Sequence, residues 1–125
     1  MIYEKNKGRN NRCKNGTLIS FVDRLFYSTL FDKTMKVGAS VVTAKRGGPP
    51  AAFDELNKYF TISGMLVAPG QYWNSIHRLE AGEVRQDEEG LQGMRTLAGN
   101  MAFLMKSIVL NKEKYSIPEK EPFHA

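Results

Sequence analysis

The chain of 125 residues is short of cysteine and has no long apolar run, and both scarcities narrow what it can be. Cys13 is its one cysteine, so an internal disulfide and a multi-cysteine metal site are excluded, and a reducing, cytoplasmic setting is expected. No segment approaches the run of about 20 apolar residues that a membrane-spanning helix needs. The amino terminus is basic but lacks the apolar stretch of a secretory signal. Acidic residues are outnumbered, 13 against 18 Lys and Arg, for a formal net charge of +5. Lys5, Lys7, Arg9, Arg12 and Lys14 against Glu4 place +4 of that charge in residues 1–14, and the remainder is nearly neutral. Aromatic residues are not interleaved with these charges as base stacking requires, so nucleic-acid binding is not expected. The basic segment reads first as solvated, with a tether to RNA or anionic lipid as the alternative.

What is present is an ordinary globular composition, 42% hydrophobic and 25% charged, enough for one hydrophobic core. Residues 1–14 carry no periodicity and are expected to be irregular. Asn15-Gly16-Thr17 signals the start of a helix over 17–30, whose Leu18, Val22, Leu25, Phe26 and Thr29 share one face, broadened by Ile19 and Phe21. The valine-rich run 37–44 is apolar on both faces and predicts a buried parallel strand. A loop over 45–50 follows, then a helix over 51–62 with Phe53, Leu56 and Phe60 on one side, stopped by Gly64. Residues 65–68 form a second short apolar run, and a helix between two such runs makes a parallel βαβ crossover. Pro69-Gly70 ends that strand and opens a polar, aromatic loop, Gln71-Tyr72-Trp73-Asn74. Both loops then sit at the carboxyl ends of adjacent strands and are expected to be neighbours.

The acidic segment 83–89 leads into a long helix with Leu91, Met94, Leu97, Met101, Leu104 and Ile108 as its core stripe, interrupted by Gly93 and Gly99. Dipole complementarity accounts for Asp87-Glu88-Glu89 ahead of that helix. Residues 111–125, broken by Pro118 and Pro122, read as an extended tail. The expected organisation is thus 1–14 irregular, 15–110 folded and 111–125 extended. His77 has no second histidine at ligand spacing and does not predict a metal site.

Ala44-Lys45-Arg46-Gly47-Gly48 closes the first strand with a basic, glycine-rich turn ahead of a helix. Such turns at the carboxyl ends of parallel strands bind nucleotide-like cofactors, because backbone N–H groups converge there. Gly-Gly-Pro-Pro is equally an ordinary strand-to-helix connection. Several segments together carry a resemblance: Asn15-Gly16-Thr17-Leu18 through Asp23-Arg24-Leu25-Phe26-Tyr27, the run from Gly38 to Gly48, Phe53-Asp54-Glu55-Leu56-Asn57-Lys58-Tyr59-Phe60, Gln71-Tyr72-Trp73-Asn74, and Gln86-Asp87-Glu88-Glu89-Gly90-Leu91-Gln92. In this combination the chain resembles the flavodoxin-like NADPH-dependent FMN reductase family over residues 15–108.

The resemblance implies an α/β fold, a flavodoxin-like parallel sheet with flanking helices. It is incomplete here, with about two strands and three helices of a five-stranded domain of order 2-1-3-4-5. It covers strands four and five and not the phosphate loop that follows strand one, so a truncated relative is expected, with the strand over 37–44 left as an apolar edge. It implies FMN as cofactor and NADPH or NADH as co-substrate, with hydride passing from nicotinamide to flavin N5 and no acid/base pair required. The cofactor-binding residues it implies are Asn15, Gly16 and Thr17 against the ring and ribityl chain, and Ala44, Lys45, Arg46, Gly47 and Gly48 at the N5 and O4 edge. Tyr72, Trp73 and Asn74 would cover the ring or the nicotinamide pocket. A homo-oligomer is implied as well. The alternative is a non-catalytic remnant or interaction module of the same fold that no longer holds flavin tightly, and flavin retention separates the two.

Overall fold

The computed structural model describes residues 16–44, 49–77, 83–119 and 121–122. Helix α1 (Gly16–Tyr27) is followed by strands β1 (Val37–Gly38) and β2 (Val42–Ala44), helix α2 (Pro49–Ile62), strands β3 (Leu66–Val67) and β4 (Ser75–His77), and helix α3 (Glu88–Tyr115). A short 3-10 turn, Glu83–Gln86, precedes α3. The result is a mixed α/β arrangement in which β1 pairs with β3 and β2 with β4, both in parallel. The expected βαβ unit is present, with α2 carrying the chain from the end of β2 back to the start of β3. No described helix is long and apolar enough to cross a membrane.

The single strand expected over 37–44 is two short strands, and the reason lies in its partner. Residue i pairs with i+29 in the first segment (Val37 with Leu66, Gly38 with Val67) and with i+33 in the second (Val42 with Ser75 through Ala44 with His77). The later segment therefore carries four extra residues, which leave the ladder as an excursion between β3 and β4. Pro69, with no N–H to donate, lies where the ladder breaks. Backbone bonds continue on both sides of the break: Ala68 N–H to the Gly38 carbonyl at 2.9 Å, and Val42 N–H to the Asn74 carbonyl at 2.8 Å. Strand β4 was not expected from the sequence, because Ser75-Ile76-His77 holds a single apolar residue and reads as more of the preceding loop.

Each helix ends for a local reason. α1 stops at Tyr27 rather than at residue 30. Thr29 Oγ1 donates to the Leu25 carbonyl, and the buried Lys33 donates from Nζ to the carbonyls of Thr29 (3.3 Å) and Phe31 (3.4 Å). A cation there complements the helix's carboxyl end. α2 opens at Pro49, where a missing N–H leaves nothing unpaired. It closes on Gly64 at φ 69°, with Met65 N–H bonded to the Phe60 carbonyl at 3.0 Å and Gly64 N–H to Thr61 at 3.1 Å. That pattern of two reversed bonds is the Schellman cap, which favours glycine at its left-handed position.

α3 starts at the Asp87 cap, whose carboxylate accepts from Gly90 N–H at 2.9 Å, with Glu88 and Glu89 in the first turn and Lys112 and Lys114 in the last. It runs to Tyr115, past the tail boundary expected at 111. Asn111 Nδ2 bonds the Ser107 carbonyl at 2.8 Å, and no helix breaker occurs before Pro118. The core stripe is as expected: Leu97 is buried, and Leu91, Met94, Met101, Leu104 and Ile108 are half-buried.

The described core is small: Val22, Tyr59, Ala68, Ile76 and Leu97. Helix α1 joins it through Phe26, whose ring lies 5.6 Å from that of Tyr59 and 5.8 Å from that of Phe60. α2 packs on β2 and β3, and α3 on β1 and β4. The closest approach is at Gly38. A Cβ there would fall 2.9 Å from two Phe60 ring carbons and 3.1 Å from Met65 Cε. Gly38→Ala is therefore expected to destabilise the fold by about 1–3 kcal/mol through overpacking. Gly93 and Gly99 have nothing within 4 Å of an added Cβ, so Ala at either helical position should stabilise by up to about 1 kcal/mol. Urea denaturation of the three variants checks both signs.

Candidate functional site

The excursion between β3 and β4 carries the site's most unusual chemistry. Tyr72 and Trp73 are exposed, at 71% and 49%, with ring centroids 4.8 Å apart and planes inclined by 41°. Asn74, next in the chain, is 2% exposed. Its backbone carbonyl serves the β2 ladder, but neither Oδ1 nor Nδ2 of its side chain has a hydrogen-bond partner. A buried amide left unpaired costs about 1–3 kcal/mol per group. Its Oδ1 rests against Gly70 so closely that a side chain at that position would have to displace it. The excursion is tied to α3 by Asn100 Nδ2, which donates to the Pro69 carbonyl at 2.8 Å, and by the hydroxyl of Thr96, 3.4 Å from Gln71 Oε1.

The other expected site residues divide into two groups. Gly16 and Thr17 open α1 and are exposed, with nothing near an added Cβ at Gly16. Ala44 ends β2 opposite His77. Asn15, Lys45, Arg46, Gly47 and Gly48 lie outside the described residues. Ala44, the last residue of β2, and the buried Pro49, the first of α2, flank residues 45–48 in the sequence.

The expected neighbourhood of the two loops involves residues 45–48, which lie outside the described residues. Asn74 precedes β4, and its carbonyl accepts from Val42 N–H at the amino end of β2. The chain after residue 70 rejoins the ladder at β4, so the aromatic pair lies between two strands rather than after the last one.

A second feature lies where α1 meets α2. Tyr59 is buried and donates its hydroxyl to Asp23 Oδ1 at 2.5 Å. Beside it an open groove of about 620 Å³ is lined by Tyr27, Glu55, Lys58, Tyr59, Thr61 and Ile62. Sequence reasoning missed this pair, because Asp23 and Tyr59 lie on polar margins of their helices and no spacing rule links residues so far apart. Among the described residues, no three His, Cys, Asp or Glu side chains come together as a metal site. No family model matches the chain, and no curated protein or solved structure shows significant similarity to it.

The Asp23 hydrogen bond, burial and the neighbouring negative charge hold the Tyr59 hydroxyl protonated up to about pH 12, from an ordinary value of 10.0. The stabilisation is fully present below pH 10 and is lost as pH rises through about 12. Tyr59→Phe should therefore lower stability by about 1–3 kcal/mol at neutral pH. Its difference from the native chain should shrink across pH 10–12, which denaturant titrations at a series of pH values will show.

Proposed function

We propose that this chain is the ring-binding portion of a flavodoxin-like flavoprotein, an oxidoreductase that takes FMN and uses NADPH or NADH as the electron donor. The observation that carries the reading is the unpaired Asn74 amide beside the exposed Tyr72 and Trp73 rings. A planar heterocycle whose edge alternates donors and acceptors answers both features. One face covers the aromatic surface, while the Asn74 amide, buried in the free chain, would pair with the donors and acceptors of the ring edge once the excursion opens to admit it. The residue-level resemblance and the parallel βαβ unit support the same reading.

When bound, FMN supplies the hydride acceptor at N5. The chain's own groups orient the ring and tune its charge. Lys45 and Arg46, which precede α2 in the sequence, would add positive charge that favours an electron-rich ring. Gly47 and Gly48 let backbone N–H groups come close to it. Tyr72 and Trp73 exclude water from the face they cover. Nothing in this set resembles the phosphate loop of such domains, so the phosphate must be held by other residues or by another subunit.

A non-catalytic interaction module is the second reading. It is favoured by the apolar side chains α1 leaves exposed, Phe21 and Tyr27 among them. Titrating the full chain with FMN, with flavin fluorescence as the readout, decides between the two. The flavoprotein reading expects saturable quenching, weakened about tenfold by Asn74→Ala through loss of hydrogen bonds worth about 1–1.5 kcal/mol. Absence of quenching leaves the interaction module as the function.

A further inference from the structure

The carboxyl half of α3 has a second apolar face that none of the described residues covers. Its inner stripe packs on β1 and β4, yet on the outer side Phe103, Met105, Val109 and Leu110 are 70, 52, 70 and 78% exposed, and Ala98, Gly99 and Ala102 are exposed beside them. Exposed apolar side chains grouped in this way along one helix mark a contact. The outer positions fall in two strips. Ala98, Ala102, Met105 and Val109 recur at four, three and four residues, the spacing of a helix-to-helix seam. Gly99, Phe103 and Leu110 flank them. Between the strips run Arg95, Lys106 and Glu113, all exposed.

Small residues occupy the first half of this face and large ones the second, and the charge on the midline changes sign from Arg95 to Glu113. We infer that this face is an isologous dimer interface, in which α3 packs antiparallel on α3 of a second copy about a two-fold axis near position 104. A two-fold axis of that kind lays each strip on its own reversed copy. Residues equally far on either side of position 104, to within one position, then meet. Ala98 faces the partner's Val109, Ala102 the partner's Met105, and Gly99 the partner's Leu110. Phe103 packs on the partner's Phe103, and Arg95 lies beside the partner's Glu113, twice by symmetry. Each small residue receives a large one, and each midline end receives the opposite charge. Lys106, on the midline two positions from the axis, lies near the partner's Lys106, and the two long stems splay to keep their ammonium groups apart and hydrated. A parallel pairing instead sets Arg95 beside Arg95 and bulk against bulk. The interface is independent of flavin.

One helix pair buries an area near the low end of stable interfaces, about 1,200 Å² in total, so a reversible micromolar dimer is expected. Sedimentation velocity of the full chain over a concentration series tests it. The expected result is a monomer–dimer equilibrium that Val109→Glu abolishes while leaving the far-ultraviolet circular dichroism unchanged. Arg95→Glu should weaken it at least about tenfold, and Arg95→Glu combined with Glu113→Arg should restore it. A monomer at every concentration, an open series of larger species, or a dimer indifferent to both the Val109 and the Arg95 substitutions overturns the proposal.

Discussion

The structure depends on one parallel strand pair holding together across a mismatch of four residues. Residues 37–44 run beside 66–77 in two registers, and the difference is taken up on one side alone, between Val67 and Ser75. A parallel ladder tolerates such an interruption only where other groups take over the lost pairing. Here Asn100 holds the Pro69 carbonyl, Ser40 Oγ bonds Asn57 Oδ1 at 2.7 Å on α2, and Gly38 lets the Phe60 ring lie against the strand. Helices α2 and α3 therefore cover the sheet and also bridge the gap in it.

The same mismatch makes the candidate site. The four extra residues are forced out of the sheet, which turns Tyr72 and Trp73 towards solvent and draws Asn74 inward, without a side-chain partner. A fold that resolved the register evenly would have neither the exposed aromatic pair nor the unpaired amide. Local instability and candidate chemistry thus share a cause, as is common where binding groups are held against their packing preference.

Much of this was legible in the sequence because it rests on local rules. The 3.6-residue stripe of α3 runs from Leu91 to Ile108 as the periodicity requires, and Gly64 and Asp87 act as the stop and start signals they resemble. The parallel crossover followed from two apolar runs flanking a helix. What was not legible is non-local. Register is a relation between two segments, and neither Gly38 nor Pro69 announces that its partner carries four extra residues. β4 escaped notice because Ile76 alone gives no alternation to read. The Asp23–Tyr59 bond joins residues from different helices, each polar enough to pass for surface. The end of α3 at Tyr115 was missed because Asn111 and the lysines after it look like tail when they are in fact suited to a helix's last turn.

Native-state hydrogen exchange at the amides of Leu66, Ala68 and Val42 tests the central claim most directly. These N–H groups bond Lys36 at 2.8 Å, Gly38 at 2.9 Å and Asn74 at 2.8 Å, two before the excursion and one after it. If one interrupted strand pair organises the fold, all three exchange slowly and with a common opening free energy, as a single cooperative unit. If Val42 exchanges orders of magnitude faster than Ala68, the two short sheets open separately, and the account of a single pair spanning a four-residue mismatch is wrong.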